Sequence, residues 1–273
     1  MILLRGGGDL ASGVALRLFR AGLRLVITEL PQPLAVRRTV SFAQVVYSQH
    51  MLVEDVTARL ALDVEHARRL MLEGVLPVLV DPPAASRLSF NPLVLIDARM
   101  TKQAPDLGKA TAALVIGLGP GFIAGENCHA VIETRRGPDL GRVIWTGPAE
   151  ADTGLPDAIA DRQGERVLRA PADGVLRAHA RIGEHLAAGQ LVADVAGQPV
   201  TAAFAGVLRG LLQDGLSVTR GLKIGDVDPR DDPRVCQLVS DKSLAVGGGV
   251  LEAILSRPEV RSQLWGFHPH GWD

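Results

Sequence analysis

Three consecutive glycines, Gly6, Gly7 and Gly8, follow a short apolar run and lead straight into Asp9 and a helical pattern. Backbone without side chains can approach a ligand closely, and the start of a helix offers free N–H donors and a positive dipole end. That is chemistry suited to a phosphate. Glu29 lies 21 positions after Gly8, closing the next apolar run, where a carboxylate could accept hydrogen bonds from a ribose. Arg37 and Arg38 follow as a pair that could face an anion. Two further apolar runs end in Asp97-Ala98-Arg99 and in Gly117-Leu118-Gly119-Pro120-Gly121. Asp97 adds an acceptor and Arg99 a cation. Gly117, Gly119 and Gly121 add a second set of backbone donors. Taken singly, each has an ordinary capping, turn or solvated role. Their joint position after apolar runs is what points to a ligand.

The elements that must hold these residues follow from periodicity. Residues 1–5 read as a buried strand. Leu10, Val14 and Leu18 recur at helical spacing, with Gly22 as a stop, and Leu23 to Thr28 is the next strand. Leu30 to Gln49 is loop-rich. Asp63 predicts a cap for a helix over 64–73, with Gly74 after it. Strands follow at Leu76–Val80, Leu93–Ile96 and Leu114–Ile116, then a pair at Ala130–Glu133 and Arg142–Trp145. Apolar runs alternating with helical stretches predict an α/β fold with a Rossmann-like, mostly parallel sheet, covered on both faces. Ligands in such sheets sit beyond the carboxyl ends of the strands. The GxGxxG fingerprint is incomplete, because Gly13 comes two residues late. This ranks NAD(P) behind other phosphate-bearing ligands.

The character changes after residue 150. Ala151 to Glu165 reads as a connection, and an internal repeat follows it. Residues 172–195 align with 204–227 at a constant offset of 32, with Gly174/Gly206, Arg177/Arg209, Gly183/Gly215 and Asp194/Asp226 among the identical pairs. Two such strand–turn–strand units must pack together to bury their apolar sides. Cys236–Val239 reads as a strand. Gly247–Gly249 reads as a second triple-glycine turn opening into an apolar helix that ends at Leu255. The expected division is 1–165, 166–230 and 231–273, with the last section returning to the first.

Composition bounds the function. The chain has 273 residues, 47% hydrophobic and 22% charged, with a formal net charge of −1 and 4% aromatics. Neither a nucleic-acid partner nor a membrane is expected from such a balance. Arginine greatly outnumbers lysine, the only lysines being Lys102, Lys109, Lys223 and Lys242. Cys128 and Cys236 are the only cysteines and fit no metal or disulfide spacing. His268 and His270 lack the partners of a metal site, so no metal is expected. The opening strand is not a signal peptide, and a cytoplasmic location is expected.

Residues 170–190, with Ala-Pro-Ala-Asp-Gly followed by Gly183-Glu184 and Gly189-Gln190, resemble biotinyl and lipoyl domains. These fold as a small all-β barrel-sandwich of two half-repeats. The family's carrier lysine has no counterpart in the connection Ala196–Ala202, so neither biotin nor lipoate is implied, and a docking role is. Across the chain, RGGGDLASGVA, ITELPQPLAVRRTVSF, IDARM, VIGLGPGF, VIETRRGPDLGRV, RAPADGVL and GGGVLEAIL resemble the YqeB family of accessory proteins for selenium-dependent molybdenum hydroxylases. The resemblance implies a factor that matures such a hydroxylase, with the hydroxylase as client. Its ligand would be molybdopterin or the cytidine dinucleotide form, held by the N-terminal half. An NAD(P)-dependent oxidoreductase and a purely non-catalytic assembly scaffold are the alternatives. A homo-oligomer is compatible with either.

Overall fold

The structure, a computed structural model, describes residues 1–101, 103–151, 164–230 and 232–265. Most of the expected connection and the tail bearing His268 and His270 lie outside these residues. Apolar runs of four or five residues form the central strands β1 (Ile2–Arg5), β2 (Leu25–Glu29), β5 (Leu76–Val80), β6 (Val94–Asp97) and β7 (Leu114–Leu118), nearly every residue of which is buried. A hairpin, β3 (His50–Val53) and β4 (Val56–Ala61), forms one edge, turning through Glu54 at φ 54°. β8 (Ile123–Ala124) lies aside, and β9 (Ala130–Ile132) with β10 (Val143–Ile144) forms the other edge. The resulting nine-stranded sheet has the order β10-β9-β7-β6-β1-β2-β5-β4-β3. β1 pairs in parallel with both β2 and β6, so the ends of these three strands open on one edge.

One face of this sheet carries α1 (Asp9–Arg20) and α5 (Asp241–Leu255), whose Val14, Leu18, Val246 and Val250 join Ile2 and Leu4 in one core. The other face carries α3 (Val64–Leu72), capped at Asp63, whose side chain accepts from the His66 N–H. α2 (Val45–Ser48) and α4 (Arg87–Phe90) are single turns, and α6 (Pro258–Trp265) follows α5.

The remaining strands are β11 (Gly147–Pro148), β12 (Val167–Arg169), β13 (Gly174–Ala178), β14 (His185–Leu186), β15 (Leu191–Val195), β16 (Gln198–Thr201), β17 (Gly206–Leu211), β18 (Ser217–Val218) and β19 (Lys223–Asp228). The offset of 32 carries the starts of β13, β14 and β15 onto those of β17, β18 and β19. The halves exchange partners: β13 pairs with β18 and β14 with β17.

The expected Rossmann-like, mostly parallel sheet followed by a small barrel-sandwich is corrected by this topology. The large sheet is mixed, with antiparallel pairs at both edges. Among the described residues only α1 and α3 are long helices lying between its strands, and the path from β6 to β7 carries one 3₁₀ turn. The repeat forms two four-stranded antiparallel sheets, β12-β19-β17-β14 and β16-β15-β13-β18, with no strand pairing that joins them into one closed barrel. The strand expected at Cys236–Val239 is also corrected: Pro233–Cys236 is a 3₁₀ turn, begun by Asp232 accepting from the Arg234 N–H. Gly247–Gly249 do not open a helix but lie inside α5. Their place is explained by contact. A Cβ on Gly247 would lie 2.6 Å from the Gly13 carbonyl oxygen of α1, and one on Gly13 would lie 2.4 Å from that of Ser243. Only glycines let the two helices approach so closely. Among the described residues no helix is long and apolar enough to cross a membrane.

Candidate functional site

The ends of β1, β2 and β6 border a cavity of about 460 Å³ lined by Gly6, Gly8, Glu29, Leu34, Arg99 and Met100, among others. Its polar anchor is Glu29, which is 9% exposed. Oε2 of Glu29 accepts from the Gly7 N–H at 2.6 Å, and Oε1 accepts from the Leu30 N–H at 2.7 Å. Burial pushes the Glu29 carboxyl above its ordinary range, and the two N–H donors partly offset that. A carboxylate held this way has one lone-pair direction occupied on each oxygen. The others can accept from a diol or from an amino group.

The three glycines divide the work. Gly6 sits at φ 91°, in the left-handed region. A Cβ on Gly7 would lie 2.8 Å from the Ala43 backbone nitrogen, which itself donates to the Gly7 carbonyl at 2.8 Å. Gly7 is therefore a packing glycine whose N–H is already committed. Gly8 alone has open space where a Cβ would stand, and it starts α1 with no side-chain cap.

Asp9 accepts from Arg37 at 3.0 Å and from the Ser243 hydroxyl at 3.1 Å, so its charge is engaged while it lines the cavity. Asp97 is nearly fully buried behind the cavity wall and does not line it. It accepts from Arg5 at 3.2 Å and from Arg99 at 2.6 Å and 2.9 Å. Asp106 joins the same network. It accepts from Arg5 at 2.7 Å and 2.9 Å and from Arg99 at 2.6 Å, and these two guanidiniums hold it far below the usual carboxylate range. Sequence reasoning missed Arg5 and Asp106. A charged residue ending an otherwise apolar buried strand was the available signal for Arg5.

The second glycine loop is not brought to the cavity. A Cβ on Gly117 would lie 2.0 Å from the Phe122 ring, one on Gly119 would lie 2.4 Å from the Thr134 hydroxyl, and one on Gly121 would lie 2.6 Å from the Gln103 carbonyl oxygen. These glycines make room for the protein's own atoms. Arg38 is also turned elsewhere, donating to the Leu211 carbonyl at 2.6 Å and to Gln213 at 3.1 Å. Both cysteines are buried thiols. Burial pushes Cys128 up to about 11 and raises Cys236 too, so neither supplies a thiolate at neutral pH. Among the described residues no group of three or more His, Cys, Asp or Glu is arranged to hold a metal ion.

No family model matches the chain. It is 45% identical over 255 residues to YqeB of Escherichia coli (strain K12), a protein described as uncharacterized. That alignment covers 93% of this chain and 47% of the relative, so the chain spans about half the relative's length. The match supports the YqeB family. Among solved structures, the apo ectoine utilization protein EutE (DoeB) from Ruegeria pomeroyi is 10% identical with a TM-score of 0.25, covering 84% of this chain and 86% of that one. An aspartoacylase family protein from Mesorhizobium loti is 8% identical with a TM-score of 0.24, covering 74% and 56%. Likenesses this low carry no argument about chemistry.

Proposed function

We propose that the chain is an accessory factor in the maturation of a molybdenum hydroxylase. It would hold molybdopterin, the cytidine dinucleotide form or a related phosphate-bearing nucleotide in the cavity beside Glu29. The observation that carries the ligand class is the Glu29 carboxylate, fixed by two backbone donors at the wall of a cavity otherwise largely apolar. A flat heterocycle with an amino edge, or a ribose diol, satisfies that acceptor pair, and Leu34 and Met100 offer apolar contact to a ring. When bound, the pterin supplies the dithiolene that carries the metal. This chain's residues would hold and shield it. The client class rests on the family likeness.

An NAD(P)-binding reading draws on the same Glu29, since a carboxylate at a strand end beside a glycine turn also suits the ribose of that dinucleotide. One titration series separates the two. The full chain is titrated with molybdopterin-type cofactor released from a hydroxylase, and separately with NADH followed by its fluorescence. The cofactor is expected to bind, and Glu29→Gln to weaken it by about tenfold or more, as loss of a charged acceptor does. Fluorescence enhancement with NADH, absent with the pterin, would favour the dinucleotide oxidoreductase. Binding of neither would sink the cavity reading.

A further inference from the structure

A second cavity, of about 450 Å³, adjoins the first and shares Gly8, Asp9, Leu10, Leu34 and Ala35 with it. Its character is opposite. Arg37, Arg136, Arg166, Arg209, Lys223 and Lys242 line it, against two acids, Asp9 and Asp226. Arg37 and Arg136 come from the large sheet's loops. Arg166 immediately precedes β12, Arg209 and Lys223 come from the repeat, and Lys242 from the first turn of α5. Two of the chain's four lysines are spent here.

Two acids face six cations among the lining residues. Asp9 is taken by Arg37 at 3.0 Å. Asp226 is shared between Arg166 at 3.1 Å and Arg209 at 3.4 Å. Nearby, Asp241 is held by Arg136 in a two-point pair at 2.7 Å, and buried Asp228 is held by Arg230 at 2.7 Å and lies 3.8 Å from Arg209. The ammonium of Lys223, half-buried on β19, makes no hydrogen bond or ion pair among the described residues. Arg209, itself only 9% exposed, is held loosely: its Nε stands 3.8 Å from Asp228 and makes no hydrogen bond. Burial pushes both groups down from their ordinary values, and neighbouring arginines add to the shift. A partly buried cation without a matching acceptor, as Lys223 is, costs stability, and an incoming anion offsets that cost. The uncapped start of α1 at Gly8, on the wall shared by both cavities, adds backbone donors and a positive dipole end.

We propose that this basic cleft binds a diphosphate group, through Lys223, Arg209 and the first turn of α1. The diphosphate is either free pyrophosphate or that of a dinucleotide whose remainder extends toward Glu29. The site stands on residues other than Glu29 and does not depend on what the first cavity holds.

The test is calorimetric titration of the full chain with inorganic pyrophosphate at low ionic strength, repeated with cytidine diphosphate. Pyrophosphate is expected to bind, more weakly as salt is added, and Lys223→Met is expected to weaken it by about tenfold or more. Lys223→Arg should restore most of the affinity. Glu29→Gln should leave pyrophosphate binding within about twofold, well below the step expected for losing a direct contact. Lys223→Met removes a desolvated charge and should melt no lower than the parent, so a lost signal is not lost fold. Tighter binding of cytidine diphosphate than of pyrophosphate, with the difference lost in Glu29→Gln, supports the nucleotide-borne source. Equal binding supports free diphosphate. Absence of pyrophosphate binding, or equal affinity in Lys223→Met, overturns the proposal. Because pyrophosphate does not engage Glu29, that failure is distinct from failure of the pterin reading.

Discussion

At the scale of single residues, three adjacent glycines serve three purposes, and substitution separates them. Gly7→Ala would drive a Cβ to 2.8 Å from the Ala43 backbone nitrogen. Backbone cannot swing aside as a side-chain end can, so a loss of about 1–3 kcal/mol is expected, read as a lowered melting temperature. Gly8→Ala meets nothing within 4 Å and sits at φ −68°, which any residue adopts. It should cost about 1 kcal/mol or less, the difference between glycine and alanine at a helix cap, while intruding on the shared wall of both cavities. If Gly8→Ala melts far below Gly7→Ala, the division of roles is wrong. Glu29 gives a second expectation. Its carboxyl is raised by burial, so the folded protein takes up this proton at a higher pH than the unfolded chain. Glu29 therefore contributes stability below about pH 4.5, its unperturbed value, and that contribution is lost as pH rises through the raised folded value. Binding of a ligand that donates to the carboxylate runs the other way. Affinity should fall as pH drops through the raised value, a fall that Glu29→Gln should abolish. The spacing of the glycine run and Glu29 puts both at strand ends, and Gly6, Gly8 and Glu29 line one cavity. That Gly7 gives its N–H to Glu29 was not legible in the sequence, because the partner is set by how β1 and β2 align.

At the scale of elements, the sequence reads well where burial is uniform. Leu76–Val80 is a strand with those bounds, and α3 begins at the cap that Asp63 announces. It reads poorly where contact overrides propensity. Glycine is a weak helix former, so Gly247–Gly249 look like a turn, yet α5 carries all three. The gain is the α1–α5 approach, in which Gly13 faces the Ser243 backbone and Gly247 faces the Gly13 backbone, while Gly249 lies against the Gly141 carbonyl oxygen. The same effect hid the second loop. Gly117, Gly119 and Gly121 look like a phosphate cradle, but Phe122, Thr134 and Gln103 fill the space. Gly247→Val should therefore destabilise the chain by about 3 kcal/mol or more, since two backbones must separate. Gly248→Ala, with nothing within 4 Å, should be neutral or slightly stabilising through its better helix propensity. Chemical denaturation of the two variants checks both. Equal midpoints would mean that the helices do not pack as described.

At the scale of the whole molecule, the loop between β2 and β3 ties the large sheet to the repeat. Arg37 donates to the Val235 and Leu238 carbonyls, and Arg38 to the Leu211 carbonyl and Gln213. Gln44 donates to the same Gln213 oxygen at 3.1 Å, and a Cβ on Gly210 would lie 2.8 Å from Val36. The paired arginines look from the sequence like ligand-facing cations because nothing local supplies their acceptors. Those acceptors lie some 170 to 200 positions away in the chain. The basic cleft depends on this junction, since its cations come from both sides. Arg38 lines neither cavity, which makes it a clean probe of the dependence. Arg38→Ala leaves the Leu211 carbonyl without its donor and frees the loop from Gln213. A loss of about 1–3 kcal/mol is expected for a half-buried, charge-assisted pair of bonds, with faster amide exchange in β17. Pyrophosphate affinity should fall with it, although no liganding cation has been removed, while the substituted chain keeps its strands by circular dichroism. Faster exchange in β17 with unchanged pyrophosphate affinity would mean that one side of the junction forms the anion site alone.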